Sequence, residues 1–349
     1  MRDPSKPVTL KELAGILELS PGTVSRIMNG QGDDFRIAKE TQERVLHAAS
    51  LYGYSPNALA QSLRLKRTYT VGVIVPEISE GYSTAVLGGI EDELLKDGYF
   101  YFVVSHRHKA ELLEGYPRML VSRSVEGIIA VDTRIDHQLP VPLVAVSGHN
   151  HPKGSICIHV DHVRAAHLAL SHLKALGHKR IAFIKGQSFS SDTAERWNSI
   201  VRAAKELNVK LDPRLIVQLK DPDAGSGPGL EIVRSLLSEG HRFTAIFAFN
   251  DVTAIGAIQA LREIGLRVPK DVSVVGFDDV FAASTHSPPL TTIRQPLRDM
   301  GQCAALTLLR RIRNEISDHE TAMIPVLPQL IVRKSTAMVP TEGSIARST

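Results

Sequence analysis

Arg26 lies in the run Ser20-Pro21-Gly22-Thr23-Val24-Ser25-Arg26-Ile27-Met28-Asn29-Gly30, whose polar side chains fall on one face at helical spacing. A guanidinium presents five N–H donors in a planar fork, and that fork can bridge O6 and N7 of a guanine. Ser20, Thr23, Ser25 and Asn29 carry short hydroxyl and amide groups suited to phosphate oxygens. Such contacts position a protein on a duplex without reading its sequence. Gly22 has no side chain, so base reading falls on few residues, Arg26 first.

Two short helices must position this face. Thr9 with Glu12 three residues on is a capping box, and Leu10, Leu13, Ala14 and Leu17 follow at helical spacing. Ser20 caps the second helix, and Pro21 takes its first position, where the missing N–H costs nothing. Val24, Ile27 and Met28 face the first helix, and Gly30 supplies a left-handed stop. Two helices joined by a tight turn, the second with a polar face, imply a helix-turn-helix that enters a DNA major groove.

A third helix is expected over Thr41 to Tyr52, with Val45, Leu46, Ala48, Ala49 and Leu51 as its apolar residues. Tyr54 to Arg64, Tyr-Ser-Pro-Asn-Ala-Leu-Ala-Gln-Ser-Leu-Arg, then reads as a short helix opened at Pro56 and followed by the basic run to Arg67. In this order the TVSR helix and the PN-x-x-A-x-x-L segment resemble the lac repressor family of bacterial regulators, and the resemblance runs through nearly the whole chain. It implies a hinge helix at about 56–64 that orders on DNA, two such helices sharing the minor groove of a palindromic operator. Leu63 would wedge into the central base step with Ala60 beside it, and Asn57 and Gln61 would touch the groove or phosphates. The expected DNA-contacting set is therefore Thr9, Ser20, Pro21, Gly22, Thr23, Ser25, Arg26, Asn29, Tyr54, Asn57, Ala60, Gln61 and Leu63.

The 349 residues carry a net charge of +4, with ten Lys or Arg against seven Asp or Glu in residues 1–67. Most of the excess positive charge thus sits where DNA contact is expected. Cys157 and Cys303 are far apart and fit small apolar roles better than a metal or disulfide. His106-Arg107-His108 is the nearest approach to a metal cluster and reads as a polar loop, so no cofactor or metal is expected. No elbow, P-loop or dinucleotide fingerprint marks an enzyme, and no catalytic residue is assigned. No apolar run is long enough to span a membrane, so a cytoplasmic protein is expected.

From Tyr69 the chain alternates apolar strands with helical stretches. Strands are expected at 71–76, 100–104, 127–131, 143–147 and 156–160, then at 180–184, 215–219, 245–249 and 273–277. Continuous β-branched runs between amphipathic helices imply parallel sheets covered on both faces. The expected fold class is a small all-α helix-turn-helix DNA-binding domain at 1–67 plus an α/β effector domain at 68–340. The resemblance implies that the latter is of the two-lobed type I periplasmic-binding-protein kind. Lobe 1 would comprise about 69–160 and 296–324, and lobe 2 about 161–293 and 325–340, with passages near Asp161, Thr292–Gln295 and Pro325. Asp221 to Gly229 reads as a Gly/Pro loop.

The resemblance also places a small-molecule effector between the lobes. Arg196, Asn250 and Asp278 match the family's ligand-binding positions, and Glu80, Tyr82, Ser147 and His149 follow first-lobe strands. Arg196 and Asp278 could instead pair with each other, and Asp251 and Asp279 suit helix caps or loop bonds. Trp197 could stack on a ligand or be buried. A planar fork and carboxylates suit a sugar or sugar derivative. Pro222 and Asp223, where many relatives have an aromatic ring, and Ser147, where some have Asp, leave a purine or other metabolite open. Helices at about 83–96 and 109–121 would pair two copies into a homodimer matching the palindrome, and Arg310, Arg311 and Arg313 form an expected solvated face. The expectation is a ligand-responsive repressor.

Overall fold

The computed structural model describes residues 8–55, 62, 65–78, 81–147, 152–220, 227–317 and 322–339. They fall into two compact units, Met1–Thr68 and Tyr69–Thr349. The first unit holds α1 (Leu10–Leu17), α2 (Pro21–Met28) and α3 (Lys39–Leu51). Thr9 and Glu12 cap each other reciprocally, and Ser20 Oγ accepts the Thr23 N–H. Glu18 turns the chain between α1 and α2 in the left-handed region, φ 55°. Leu13 and Ala14 of α1, Val24 and Ile27 of α2, and Val45, Ala48 and Ala49 of α3 form one buried cluster. α3 starts two residues before Thr41, where Lys39 pairs with Asp33 at 2.9 Å. The expected hinge helix, with Asn57, Ala60, Gln61 and Leu63, lies outside the described residues.

Among the described residues the second unit forms two six-stranded sheets. Lobe 1 has β1 (Thr70–Val75), β2 (Phe100–Ser105), β3 (Gly127–Val131), β4 (Leu143–Val146), β5 (Ile156–Val160) and β11 (Ala322–Val326), in the order β11-β5-β4-β3-β1-β2. Its strands are all parallel, which is why β3 and β4 are apolar throughout and buried at every position. One face is covered by α4 (Gly81–Lys96) and α11 (Leu297–Ile312), the other by α5 (Ala110–Ser122). α4 and α11 approach so closely that a β-carbon on Gly89 or Gly301 would overlap a backbone carbonyl of the facing helix.

Lobe 2 has β6 (Ile181–Lys185), β7 (Ile216–Gln218), β8 (Ala245–Ala248), β9 (Ser273–Asp278), β10 (Thr291–Arg294) and β12 (Gln329–Ile331), in the order β12-β10-β9-β8-β6-β7. Among these described strands β12 runs antiparallel, to β10, and the others are parallel. α6 (His162–Ala175) and α7 (Ser191–Glu206) cover one face; α8 (Gly227–Ser238) and α9 (Asp251–Glu263) cover the other. A short α10 (Phe281–Thr285) follows β9.

Several expectations are corrected here. The passages between lobes fall at Asp161, at Gln295–Pro296 and at Leu327–Pro328, the last beyond Pro325 because β11 continues through Val326. Pro325 is tolerated inside β11 because that strand is at the sheet edge, where a missing N–H is not needed. The Gly/Pro stretch is already helical from Gly227, with Gly229 pressed on the Thr253 carbonyl. Arg311 is not on a solvated face: it is 2% exposed, and its Nη1 donates to the Leu143 and Gly154 carbonyls. His106 is likewise turned inward, bonded to Thr133 at 3.1 Å. Among the described residues no helix is long and apolar enough to cross a membrane, and no three His, Cys, Asp or Glu gather as a metal cluster.

Candidate functional site

On α2 the guanidinium of Arg26 is exposed and lies 4.0 Å from the centre of the Phe35 ring. Pro21 and Gly22 are exposed beside it, with Thr23 and Ser25 half-buried. Three of the expected phosphate-contacting side chains are already engaged with neighbours of α2. Asn29 Nδ2 donates to the Ser25 carbonyl at 2.6 Å, and the Ser20 and Thr23 hydroxyls bond at 2.8 Å. Thr9 is an exposed cap at the start of α1. Tyr54 packs against the three-helix core, and burial raises its phenol pKa.

In the second unit the candidate residues collect at the carboxyl ends of the two sheets, where α/β proteins place their ligands. Arg196 is 5% exposed. Its guanidinium lies 4.3 Å from the Phe249 ring centre and 3.7 Å from that of Phe277, and Nη1 donates to the Phe249 carbonyl. Nη2 is 3.6 Å from Asp192, one turn earlier on α7. Buried His162, the first residue of α6, approaches the same carboxylate at 3.7 Å. The pairing alternative for Arg196 is thus realised with Asp192, while Asp278 Oδ1 accepts from Gln295 at 2.6 Å.

Lobe 1 contributes Tyr82, whose hydroxyl donates to Ser147 Oγ at 2.8 Å. Burial, then the negative charges of Asp192, Asp132 and Asp278, push the Tyr82 phenol well above the ordinary tyrosine range. Carboxylates of both lobes therefore act on one lobe 1 hydroxyl. Cys157, behind Ser147, is pushed up to about 12 by burial and by Asp192. Asp132, Ser147 and Asp278 all have positive φ, at 38°, 54° and 110°. Such backbone strain gathers at ligand sites, where the surrounding structure holds it in place. At the rim the His108 ring of lobe 1 is 4.3 Å from that of Phe189 of lobe 2.

Asn250 caps α9, its Oδ1 accepting the Thr253 N–H at 2.8 Å. Asp251 and Asp279 are loop bonders. Asp251 accepts from Val280 N–H and Thr292, and burial raises its pKa; Asp279 accepts from Arg294 and pairs with Arg333. Trp197 stands apart from Arg196, edge-on to Phe183 at 5.9 Å in the layer between α7 and the sheet. Glu80 and His149 lie outside the described residues, as do Pro222 and Asp223. Sequence reasoning missed Asp132, Asp192, His162, Phe249 and Phe277. Of these, Asp192 carried a signal, standing one turn before Arg196 on a helix.

A helix-turn-helix unit followed by a two-lobed, periplasmic-binding-protein-like body defines a ligand-sensing DNA-binding protein. The profile of the periplasmic binding protein-like domain matches residues 170–336. The HTH-type transcriptional repressor PurR of Aliivibrio fischeri (strain MJ11) is 32% identical over 336 residues, covering 94% of this chain and 98% of that protein. The lac repressor dimer bound to operator and the anti-inducer ONPF superposes with a TM-score of 0.83 at 28% identity, covering 95% of this chain and all of that one. The transcriptional regulator CelR in complex with cellobiose superposes at 0.70, also 28% identical, over 94% and 99% of the two chains. The chain belongs to the lac repressor (LacI/GalR) family of transcriptional regulators: it is a repressor with an effector-binding domain, not an enzyme.

Proposed function

We propose that the chain works in the cytoplasm as a homodimer that grips a palindromic operator, with α2 in the major groove and Arg26 reading a base. A small effector held between lobes 1 and 2 changes how the lobes close, and so shifts operator affinity through the segment at about 56–64. The observation that carries this is the buried Arg196, held between Phe249 and Phe277 and against Asp192, whose charge also acts on Tyr82 of lobe 1. A guanidinium fixed in this way offers N–H edges to ligand oxygens or ring nitrogens at little entropic cost.

A purine-type effector is the leading reading, supported by relatives named PurR at 32% identity. A carbohydrate is the second, supported by the CelR–cellobiose complex. Asp132, Asp192 and Asp278 set three carboxylates around Tyr82, and Asp192 also pairs with Arg196, an excess of negative charge that favours unphosphorylated ligands of either class. The test is thermal unfolding of the full-length protein with purine bases, nucleosides, sugars and their phosphates. Stabilisation by a base or free sugar, lost in R196A, is expected. A response only to phosphorylated compounds, or one kept by R196A, overturns the assignment of the site.

A further inference from the structure

Arg26 is a long, exposed side chain that must deliver its fork to one base edge, and the structure holds a neighbour suited to aim it. Phe35 lies in the connection between α2 and α3, and its ring centre is 4.0 Å from the Arg26 guanidinium carbon. The ring is 49% exposed, so burial in the core does not explain its presence. The connection itself is held from both ends. Gln31 N–H donates to the Arg26 carbonyl and Phe35 N–H to the Gln31 carbonyl, at 2.9 and 3.2 Å. Ile37 N–H donates to Gly32 at 2.9 Å, and the Ile37 side chain packs on the three-helix core. Asp33 accepts from Lys39 and Gln42, and Gln42 also donates to the Ile37 carbonyl, each at 2.9 Å. The ring is therefore set on a braced turn.

We propose that Phe35 is the positioning residue for Arg26 and thereby sets operator preference at the base pair Arg26 reads. The inference rests on the reading of Arg26 as the base-contacting residue. Stacking occupies the face of the guanidinium and leaves its N–H edges free to meet guanine O6 and N7, since cation–π attraction acts through the face. An arginine confined to one plane loses less rotamer freedom when it forms two parallel bonds than one that swings freely.

The experiment uses the full-length protein and a duplex selected from a randomised palindromic library. Wild type, R26A, F35A, F35Y and the double variant are titrated against that duplex and its single-base-pair substitutions. R26A is expected to lose discrimination at one base pair in each half-site. F35A should weaken discrimination at that same pair by roughly two- to fivefold, the range of an exposed cation–π contact. Binding to a scrambled duplex and thermal stability should not change, F35Y should restore preference, and F35A should add nothing in the R26A background. Affinity lost equally for every duplex, or a loss that persists on top of R26A, overturns the proposal while leaving Arg26 as the reader. R26A without any base-pair dependence overturns the reader assignment and the proposal with it.

Discussion

The guanidinium of Arg196 lies 3.6 Å from the carboxylate of Asp192, one turn before it on α7, with the Phe277 ring 3.7 Å away on the neighbouring sheet. One helix thus presents a charged pair to the junction of the lobes, and aromatic rings from β9 and from the end of β8 hold the cation in place.

Replacing Arg196 by Ala should therefore do two things. The Phe249 carbonyl and Asp192 each lose a partner, at a cost of about 1–3 kcal/mol in stability. The effector response should also vanish: a ligand at 100 times its dissociation constant stabilises the wild type by about 2.7 kcal/mol. Lys at this position should not restore it, because an ammonium lacks the planar fork and stacks less well. Unfolding scans with and without effector check both. An R196A protein that still responds to effector contradicts the expectation.

The helix-turn-helix should be sensitive to its caps. Thr9→Ala removes the acceptor for Glu12 N–H and the hydroxyl donor to the Glu12 carboxylate, leaving only the backbone N–H of residue 9 on that carboxylate, and should cost about 1 kcal/mol. Ser20→Ala should cost a similar amount at α2. Urea titrations followed by amide exchange in residues 8–55 will show whether the loss is confined to the first unit. An unchanged midpoint for both variants counts against the caps.

The crossing of α4 and α11 should not tolerate a methyl group. Gly301→Ala drives a β-carbon into the Val86 carbonyl, and Gly89→Ala drives one into the Arg298 carbonyl. Neither obstacle is a flexible side chain, so the helices must separate, at roughly 1–3 kcal/mol or more. Gly115 in α5 has open space around it, so Gly115→Ala is the control and should be neutral or mildly stabilising. Thermal midpoints of the three variants decide the matter. Equal midpoints would mean that the helices yield without strain.

His106 should make the protein acid-sensitive. Its Nδ1 accepts the His108 N–H and its Nε2 donates to Thr133, which donates to the Val131 carbonyl, so the ring is neutral in the fold. Burial, then the adjacent His108, lowers its pKa from 6.5 to about 4. The folded value is the lower one, so the unfolded chain takes up the proton first. Stability is intact above about pH 6.5 and is lost as pH falls through about 4. His106→Asn should show a shallower decline in denaturant midpoint across this window, with His172 and His178 titrating in both proteins. Parallel curves for the two proteins would remove His106 as a cause.

What the sequence determined by itself was local. Thr9, Glu12, Ser20, Pro21 and Gly30 set the ends of α1 and α2, because capping bonds close within one turn. The apolar runs of β1, β3 and β9 announced buried parallel strands, because both faces of such strands meet helices. The strands β10 and β11 passed only as crossings and β12 was not anticipated, each being defined by the strand it joins. Only the tertiary structure decided which partner Arg196 keeps, that Trp197 belongs to the core of lobe 2, and that Asp132 and Asp192 act on Tyr82 from opposite lobes. It also took Arg311 out of a basic run and buried it on two carbonyls, since helical phase overrides the charge of neighbours. A cap or a periodic stripe is written within a few residues. A site built from the ends of six strands exists only when both sheets have formed, and no local spacing records which side chains then meet.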